Sequence, residues 1–466
     1  MFNSPRNTPD YERLLQQAAD AKATGDATTC WNLLRACLAL DPADFRPYWF
    51  MGLILHDGRK FAASAAAFRR ALEVDRGQPS IWSNLGWNLH LTGRCDEALS
   101  CLDEAARLAP GWWSTWVNRS QLMVNLGRLD EALADARKAV DCQNAGDVDG
   151  LPSMAMALAH LYRGEWAEGF RWYEGRVRYR MPEWAKYPYP VWRGEKVDRL
   201  FVQSEQGLGD EIMCLRWLPE AARRAGRVVY YCHREARRLV ETCFALPENV
   251  QVMPMPAPVP PADAWCPGFS LPNALGRECL EPLWTGPYLK APVAAEFPAA
   301  RFNVGIAWGG DPAQESDHLR SVSLARFLRF LEIPEVTLYS LQVGKRVADL
   351  DDVGAHGLVV DLMPRIQDLA DTCGLIAGLD LVVTVCTSVA HLASAMGKPC
   401  LLLVPRRGAF WIYQQRAGKD WTPWYPGTEV IRQKVDGDWD EVFGWAWAMV
   451  GKAMMEKAVM REASKP

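Results

Sequence analysis

Ser204-Glu-Gln-Gly-Leu-Gly-Asp210 is the stretch on which the fold of this chain turns. A short apolar run of strand length, Arg199-Leu-Phe-Val-Gln203, leads into it, and the apolar spacing after it predicts a helix over 211–224. Gly207 and Gly209 permit an unusual turn between strand and helix and let a ligand come close to bare main chain. Asp210 closes that turn at a helix mouth, on the carboxyl side of a strand, where open α/β sheets bind their ligands. A carboxylate so placed can act as a base, and it can equally do no more than cap the helix. Both readings are open.

Strand-length runs and amphipathic helices alternate from there to near the end of the chain. The first series has strands at 200–203, 228–232 and 250–253 and helices at 211–225 and 234–244. The second has strands at 302–308, 336–342, 359–362, 379–385 and 400–404. Such alternation implies parallel sheets covered on both faces. Two doubly wound, Rossmann-like halves are expected, at 181–298 and 299–436, with a cleft between the carboxyl ends of their sheets. The segment 172–195, rich in Tyr, Trp, Arg and Pro, is too aromatic for a flexible linker and is expected to pack as a cover at an interdomain hinge.

The first 180 residues follow a different rule. Trp82 and Trp116 stand 34 residues apart, as do Gly93 and Gly127, Ala98 and Ala132, and the strings GRCDEAL and GRLDEAL. One period earlier, Gly86 falls on Gly52 and Trp82 on Tyr48. This pattern resembles the tetratricopeptide repeat, in which small residues let paired helices cross closely and an aromatic fills the gap to the next pair. A weaker unit fits 11–42 and a further one begins near Leu151 with GEWAEGFRWYEGR. One repeat cannot bury its apolar face, so a stack is expected, either with a concave face that receives a protein or peptide or as a rigid brace for the domain that follows.

At 466 residues the chain suggests two to four domains, and 49% apolar with 23% charged residues is the balance of a well-cored globular protein. A net charge of -4 gives no electrostatic case for nucleic acid or an anionic membrane. Any phosphate site must then be local. Thirteen cysteines include no C-x-x-C pair, so neither zinc nor a disulfide framework is indicated. The opening MFNSPRNTPDYERLL lacks a signal-peptide core and no apolar run is long enough to span a bilayer, so the expectation is a cytoplasmic chain with reduced thiols.

EQGLGD, VGIAWGGDP near Val304, SLQVGKR at Ser340, LDLVVTVCTSVAHLASAMGKP at Leu379 and WYPGTEVIRQ at Trp424 together resemble the heptosyltransferase-like glycosyltransferases, relatives of the ADP-heptose:lipopolysaccharide heptosyltransferases. The likeness is strongest to the bacterial branch that carries tetratricopeptide repeats in front. It implies the GT-B architecture, a nucleotide-sugar donor in the second half, an acceptor facing the first, and inversion with neither an essential metal nor a cofactor. It further implies that the C-terminal helix, 437–466, returns to the first half.

On that resemblance Asp210 is the base and Gln206, Gly207 and Gly209 form the acceptor-side loop. The donor set is Trp308, Gly309, Gly310, Arg320, Gln342, Lys345, Cys386, Thr387, Ser388 and His391. The residues support parts of this independently. Thr387 and Ser388 open a helix whose first N–H groups suit a diphosphate. His391 lies one turn on, either a donor to phosphate or ribose or a core histidine. Arg320 can fork onto two phosphate oxygens or be a surface arginine with no ligand, and Gly309-Gly310 offers bare backbone. The aromatics in Gly408-Ala-Phe-Trp411 either flank a sugar or base or simply pack.

Two departures from the family pattern matter. Cys386 stands where an aspartate is usual, and a thiol cannot accept hydroxyl hydrogen bonds as a carboxylate does. Val343 stands where a basic residue is usual, leaving Lys345 or Arg346 to supply the charge. Asp436-Gly-Asp438 has the D-x-D form of metal-dependent sugar transferases, but Asp438 with Glu441 reads better as a helix cap. Two functions follow. One is a glycosyltransferase whose repeats recruit the acceptor, such as flagellin or another protein; the other is a scaffold whose transferase half is impaired at Cys386.

Overall fold

The computed structural model describes residues 9–142, 150–179, 187–277, 280–281, 283–314, 317–416 and 419–463. They fall into two compact units, one running to Arg163 and including Gly175–Tyr179, the other made of Gly164–Glu174 and the described residues from 187 onward.

The first unit is a stack of antiparallel helix pairs of the tetratricopeptide kind. Its helices are α1 (Pro9–Ala23), α2 (Ala27–Leu40), α3 (Phe45–Asp57), α4 (Phe61–Val74), α5 (Pro79–Leu91), α6 (Cys95–Leu108), α7 (Trp113–Asn125), α8 (Leu129–Cys142) and α9 (Leu151–Arg163). Starts at residues 45, 79 and 113, and at 27, 61, 95 and 129, carry the sequence period into the backbone. The small residues are where helices meet: a Cβ on Gly86 would lie 2.7 Å from Leu102 Cγ, and one on Gly52 2.5 Å from the Phe68 ring. The tryptophans tie down the entry to each pair, Trp82 Nε1 donating to the Arg76 carbonyl and Trp116 Nε1 to that of Pro110, both at 2.8 Å.

The unit expected from Leu151 does not continue as a repeat pair. α9 belongs to the stack, but α10 (Trp166–Tyr173) belongs to the second unit, and only the short α11 (Gly175–Tyr179) is again part of the first. The boundary near residue 180 is corrected accordingly. The physical reason is aromatic packing: Phe170 meets Trp217, Trp411 and Trp424 edge-on, and Tyr173 meets Phe269.

The second unit holds two wholly parallel sheets. The front sheet orders β1 (Val197–Gln203), β2 (Ala225–Cys232), β3 (Val250–Pro254) and β4 (Ala264–Pro267) as 3-2-1-4, with Leu200 opposite both Val228 and Ala264. Residues 187–195 pack on its β4 edge, through a bridge from Val191 to Trp265 and Tyr187 against Phe201 and Trp265, rather than covering a hinge. The rear sheet contains β5 (Phe302–Ala307), β6 (Val336–Ser340), β7 (Val359–Asp361), β8 (Leu381–Val385) and β9 (Cys400–Val404). After a hairpin of β10 (Gln414–Arg416) and β11 (Lys419–Trp421), β12 (Thr428–Arg432) completes it. Its order, β12-β9-β8-β5-β6-β7, is that of a doubly wound nucleotide-binding sheet, with the switch between β5 and β8.

Five further helices position the sites. They are α12 (Leu208–Cys214) after β1, α13 (Arg237–Thr242) after β2, α14 (Leu369–Gly378) before β8, α15 (Ser388–Ala395) after β8, and the terminal α16 (Asp440–Ala463). The long helix expected at 211–224 starts earlier and is broken by a 3-10 turn at Leu215–Trp217, since Pro219 has no N–H to continue the ladder. A larger correction concerns α16, which does not return to the front half. Val442, Phe443, Ala446 and Val450 sink into the rear core beside Phe327 and Phe330, and Lys457 pairs with Asp380 at 2.5 Å. That apolar stripe is the rear sheet's own lid.

Candidate active site

The turn after β1 is tightly built. Gly207 N donates to Asp210 Oδ2 at 3.0 Å, so the aspartate does close its own helix mouth. Gln206 sits at φ 63° and donates through Nε2 to the Tyr173 hydroxyl at 2.7 Å. Beneath it, buried Glu205 accepts from Phe269 N at 2.8 Å. Buried Glu211 accepts from Tyr230 Oη at 3.0 Å and from His233 N at 3.1 Å, and lies 2.5 Å from His233 Nδ1. That hydrogen bond to Glu211 is the main reason the imidazole of His233 is held above its ordinary range.

Asp210 itself remains half-buried, and among the described residues only its Oδ2 is committed to a hydrogen bond. Burial pushes its pKa up to about 6 against the opposing pull of the Gly207 N–H. Glu205 adds to the rise; Arg320 and His233 work against it. Arg320 belongs to the rear half, so the carboxyl feels charge from both halves.

The rear half answers with an arginine held over a glycine pair. Gly309 and Gly310 follow β5, and Gln342 fixes their backbone, accepting from Trp308 N at 3.1 Å and Gly309 N at 3.0 Å and donating to Gly309 O at 3.0 Å. A Cβ on Gly309 would lie 2.2 Å from Arg346 Cδ, and one on Gly310 2.5 Å from Arg320 Nη2. Buried Asp317 gathers both arginines, accepting from Arg346 Nη2 at 2.6 Å and Arg320 Nε at 3.2 Å. Arg320 also pairs with Gln314. The indole of Trp308 is fully buried and donates to Asp349 at 2.7 Å, so this residue offers a ligand only main chain.

Beyond β8, Cys386 is buried against the Tyr413 hydroxyl and Arg320, and burial pushes its thiol up. Thr387 stands at the N-cap of α15 with its hydroxyl 3.3 Å from that of Thr384, and it makes no capping bond. The first N–H groups of α15 therefore lack a side-chain cap. One turn on, His391 brings the halves together: a Cβ on Gly209 would lie 2.7 Å from its Cδ2 and 3.1 Å from its Nε2. Nδ1 is 3.1 Å from the Tyr425 hydroxyl. Burial, and then the charges of Arg216 and Arg320, lower its pKa to about 3, so the ring is neutral.

Asp210, Gly209, Arg320, Cys386 and His391 thus form one group, with Thr387 and Ser388 at the mouth of the same helix. Gln342 is consumed in shaping the glycine turn. Among the described residues Lys345 is exposed and makes no hydrogen bond or ion pair, whereas Arg346 is tied into the cluster. Trp411 packs against Trp166, Phe170 and Trp424. Asp436 pairs with Arg407, and Asp438 accepts from Asp440 N at 2.9 Å as a turn-former before α16.

Compared with known proteins, the chain matches no family model. It is 24% identical over 428 residues to Protein FlbA of Caulobacter vibrioides, an alignment covering 81% of this chain and 67% of FlbA. That length carries the likeness well past the repeat stack. A second likeness, 27% over 132 residues, is to the "Essential for maintenance of the cell wall protein 1" of Saccharomyces cerevisiae, spanning 27% of this chain and 14% of that protein. Among solved structures, the MamA protein overlaps 39% of this chain and 97% of its own, with TM-score 0.32 and 14% identity. The repeat protein YrrB overlaps 35% and 83%, with TM-score 0.30 and 15% identity.

Several residues of the site were not marked by sequence. Arg216 lies 5.0–5.1 Å from the ring centres of Tyr288, Trp424 and Tyr425 and donates to the Leu283 carbonyl at 2.8 Å. In sequence it is one arginine on an amphipathic helix. Glu211, His233 and Asp317 likewise show no spacing signal, since Tyr230 and His233 reach Glu211, and Arg346 reaches Asp317, from distant parts of the sequence.

Proposed function

We propose that the second unit is an inverting glycosyltransferase that uses a nucleotide-diphosphate sugar and needs no metal. The observation that carries this reading is Asp210, a carboxyl raised to about 6, which feels an arginine of the rear half and whose helix packs on α15, a helix with no side-chain cap at its mouth. Ionised Asp210 takes the proton of an acceptor hydroxyl as its oxygen attacks the anomeric carbon, and the bond to the diphosphate breaks on the opposite face. One such displacement inverts the centre. Arg320 and the N–H groups opening α15 meet the charge growing on the departing diphosphate. With Nδ1 accepting from Tyr425, His391 carries its proton on Nε2 and donates without bringing a charge. The stacked repeats supply a surface for an acceptor protein.

Incubation with a panel of nucleotide sugars should release a nucleoside diphosphate, and calorimetry should find that diphosphate bound. Absence of binding across the panel overturns the reading. Cys386→Asp separates it from a scaffold: activity that appears only in this variant makes the native chain the scaffold.

A further inference from the structure

The front and rear halves meet a second time, away from the cleft. α13 packs on α14, and Arg238 of α13 bridges to Asp368 at 3.0 Å and Asp371 at 3.2 Å. Cys243 follows α13 and Cys373 lies on α14, so the packing of these helices brings them to one contact; both are buried, and each thiol is the largest influence on the other's acidity. Cys373 Sγ also lies 3.4 Å from Met396 Sδ. A cavity of about 370 Å³ reaches this contact, with exposed Arg238 and Arg365 on its wall beside Thr242 and Cys243. Pro292 of the connection between the halves also lines it. A small solute therefore has a way to Cys243.

We propose that Cys243 and Cys373 are a peroxide-responsive dithiol that, once oxidised, staples the front half to the rear half. The pair is asymmetric. The interaction between the two thiols holds Cys243 down at about 7 and pushes Cys373 up. Arg238 favours the thiolate of Cys243 and Asp368 opposes it. Cys243 is the attacking sulfur. Its thiolate takes one oxygen of hydrogen peroxide, the O–O bond breaks, and hydroxide leaves, giving a sulfenic acid. The sulfur of Cys373 then attacks Cys243 Sγ, and the expelled hydroxide takes the Cys373 proton as water. Two thiols and one peroxide become one disulfide and two waters.

The full chain, treated under native conditions with a modest excess of hydrogen peroxide, denatured, alkylated and digested without reductant, provides the test. The expected result is a cross-linked peptide pair containing Cys243 and Cys373, with both thiols lost together and both restored by dithiothreitol. In Cys373→Ser the second step is blocked, and a dimedone adduct should appear on Cys243. Two results overturn the proposal: alkylatable Cys243 and Cys373 after treatment, or Cys243 carried to sulfinic acid in the native chain with no cross-link. The readout is covalent and independent of any sugar transfer.

Discussion

The repeat stack and the α/β cleft use charge in opposite ways. In the stack, charged side chains pair near the surface, as Arg46 does with Glu12 at 2.9 Å and Arg107 with Glu104 at 2.6 Å, each worth little. In the cleft, ionisable groups are moved far from their ordinary range: Asp210 up to about 6, His391 down to about 3. Among the described residues, the oxygen acids that burial displaces upward in the stack, Tyr11 and Asp135, are locked to Asp44 and Arg119, whereas Asp210 spends only one oxygen on its own turn, as a reacting group needs. The largest effect that tests this contrast is the loss of Asp210. Asp210→Asn should lower kcat/KM by roughly 10²–10⁴, the range of a lost general base, while nucleotide diphosphate still binds. A small loss reduces the residue to a helix cap.

Next comes the pH dependence. Because the proposed base works in its ionised form, kcat/KM should fall about tenfold per unit below pH 6. Arg320 favours the carboxylate, so Arg320→Gln should move that acid limb to higher pH. Stability gives the same test without substrate. A folded pKa above the unfolded one means that the folded chain keeps a proton which the unfolded chain has released. Stability therefore falls as pH rises from about 4 to about 6, by up to roughly 3 kcal/mol. Asp210→Asn should accordingly raise the melting temperature at pH 8 and leave it unchanged near pH 3.5. If the carboxylate serves only as a cap, the variant should instead melt lower at pH 8.

In the stack, effects should follow fit rather than charge. Gly86→Ala places a methyl 2.7 Å from Leu102 Cγ and 3.1 Å from the Ala98 carbonyl. The better helix propensity of alanine offsets up to about 1 kcal/mol, against about 1–3 kcal/mol for overpacking. A net loss of about 1 kcal/mol by chemical denaturation is expected, with no change in the acid limb of activity.

The same contrast explains how much could be read from sequence. The stack was legible because a 34-residue period repeats each packing demand, down to helix ends. The two sheets were legible as strand-length apolar runs, although β4, only Ala264–Pro267, and β12 were too short or too plain to stand out. Asp210, Thr387 and His391 were legible through the strand-turn-helix pattern beside them. Arg216, Asp317 and the Glu211–His233 pair were not, because what makes them special is a partner brought from a distant part of the sequence. α10 and α16 were misplaced for a related reason: an apolar helix face announces burial but not against which core.

The smallest effect lies in the turns of the stack. Gly25, Gly93 and Gly127 occupy the left-handed region at φ 79°, 80° and 71°, one period or two apart. The same place in the repeat between Gly25 and Gly93 is Arg59, at φ 57°. A side chain there costs about 1 kcal/mol that glycine does not, partly offset because glycine gives the unfolded chain more freedom to lose. Arg59→Gly should therefore stabilise the stack by about 0.5 kcal/mol or less, seen as a small rise in the denaturant midpoint. A fall would mean that the arginine side chain holds its turn by contacts stronger than the strain, and that this repeat departs from the rule its neighbours obey.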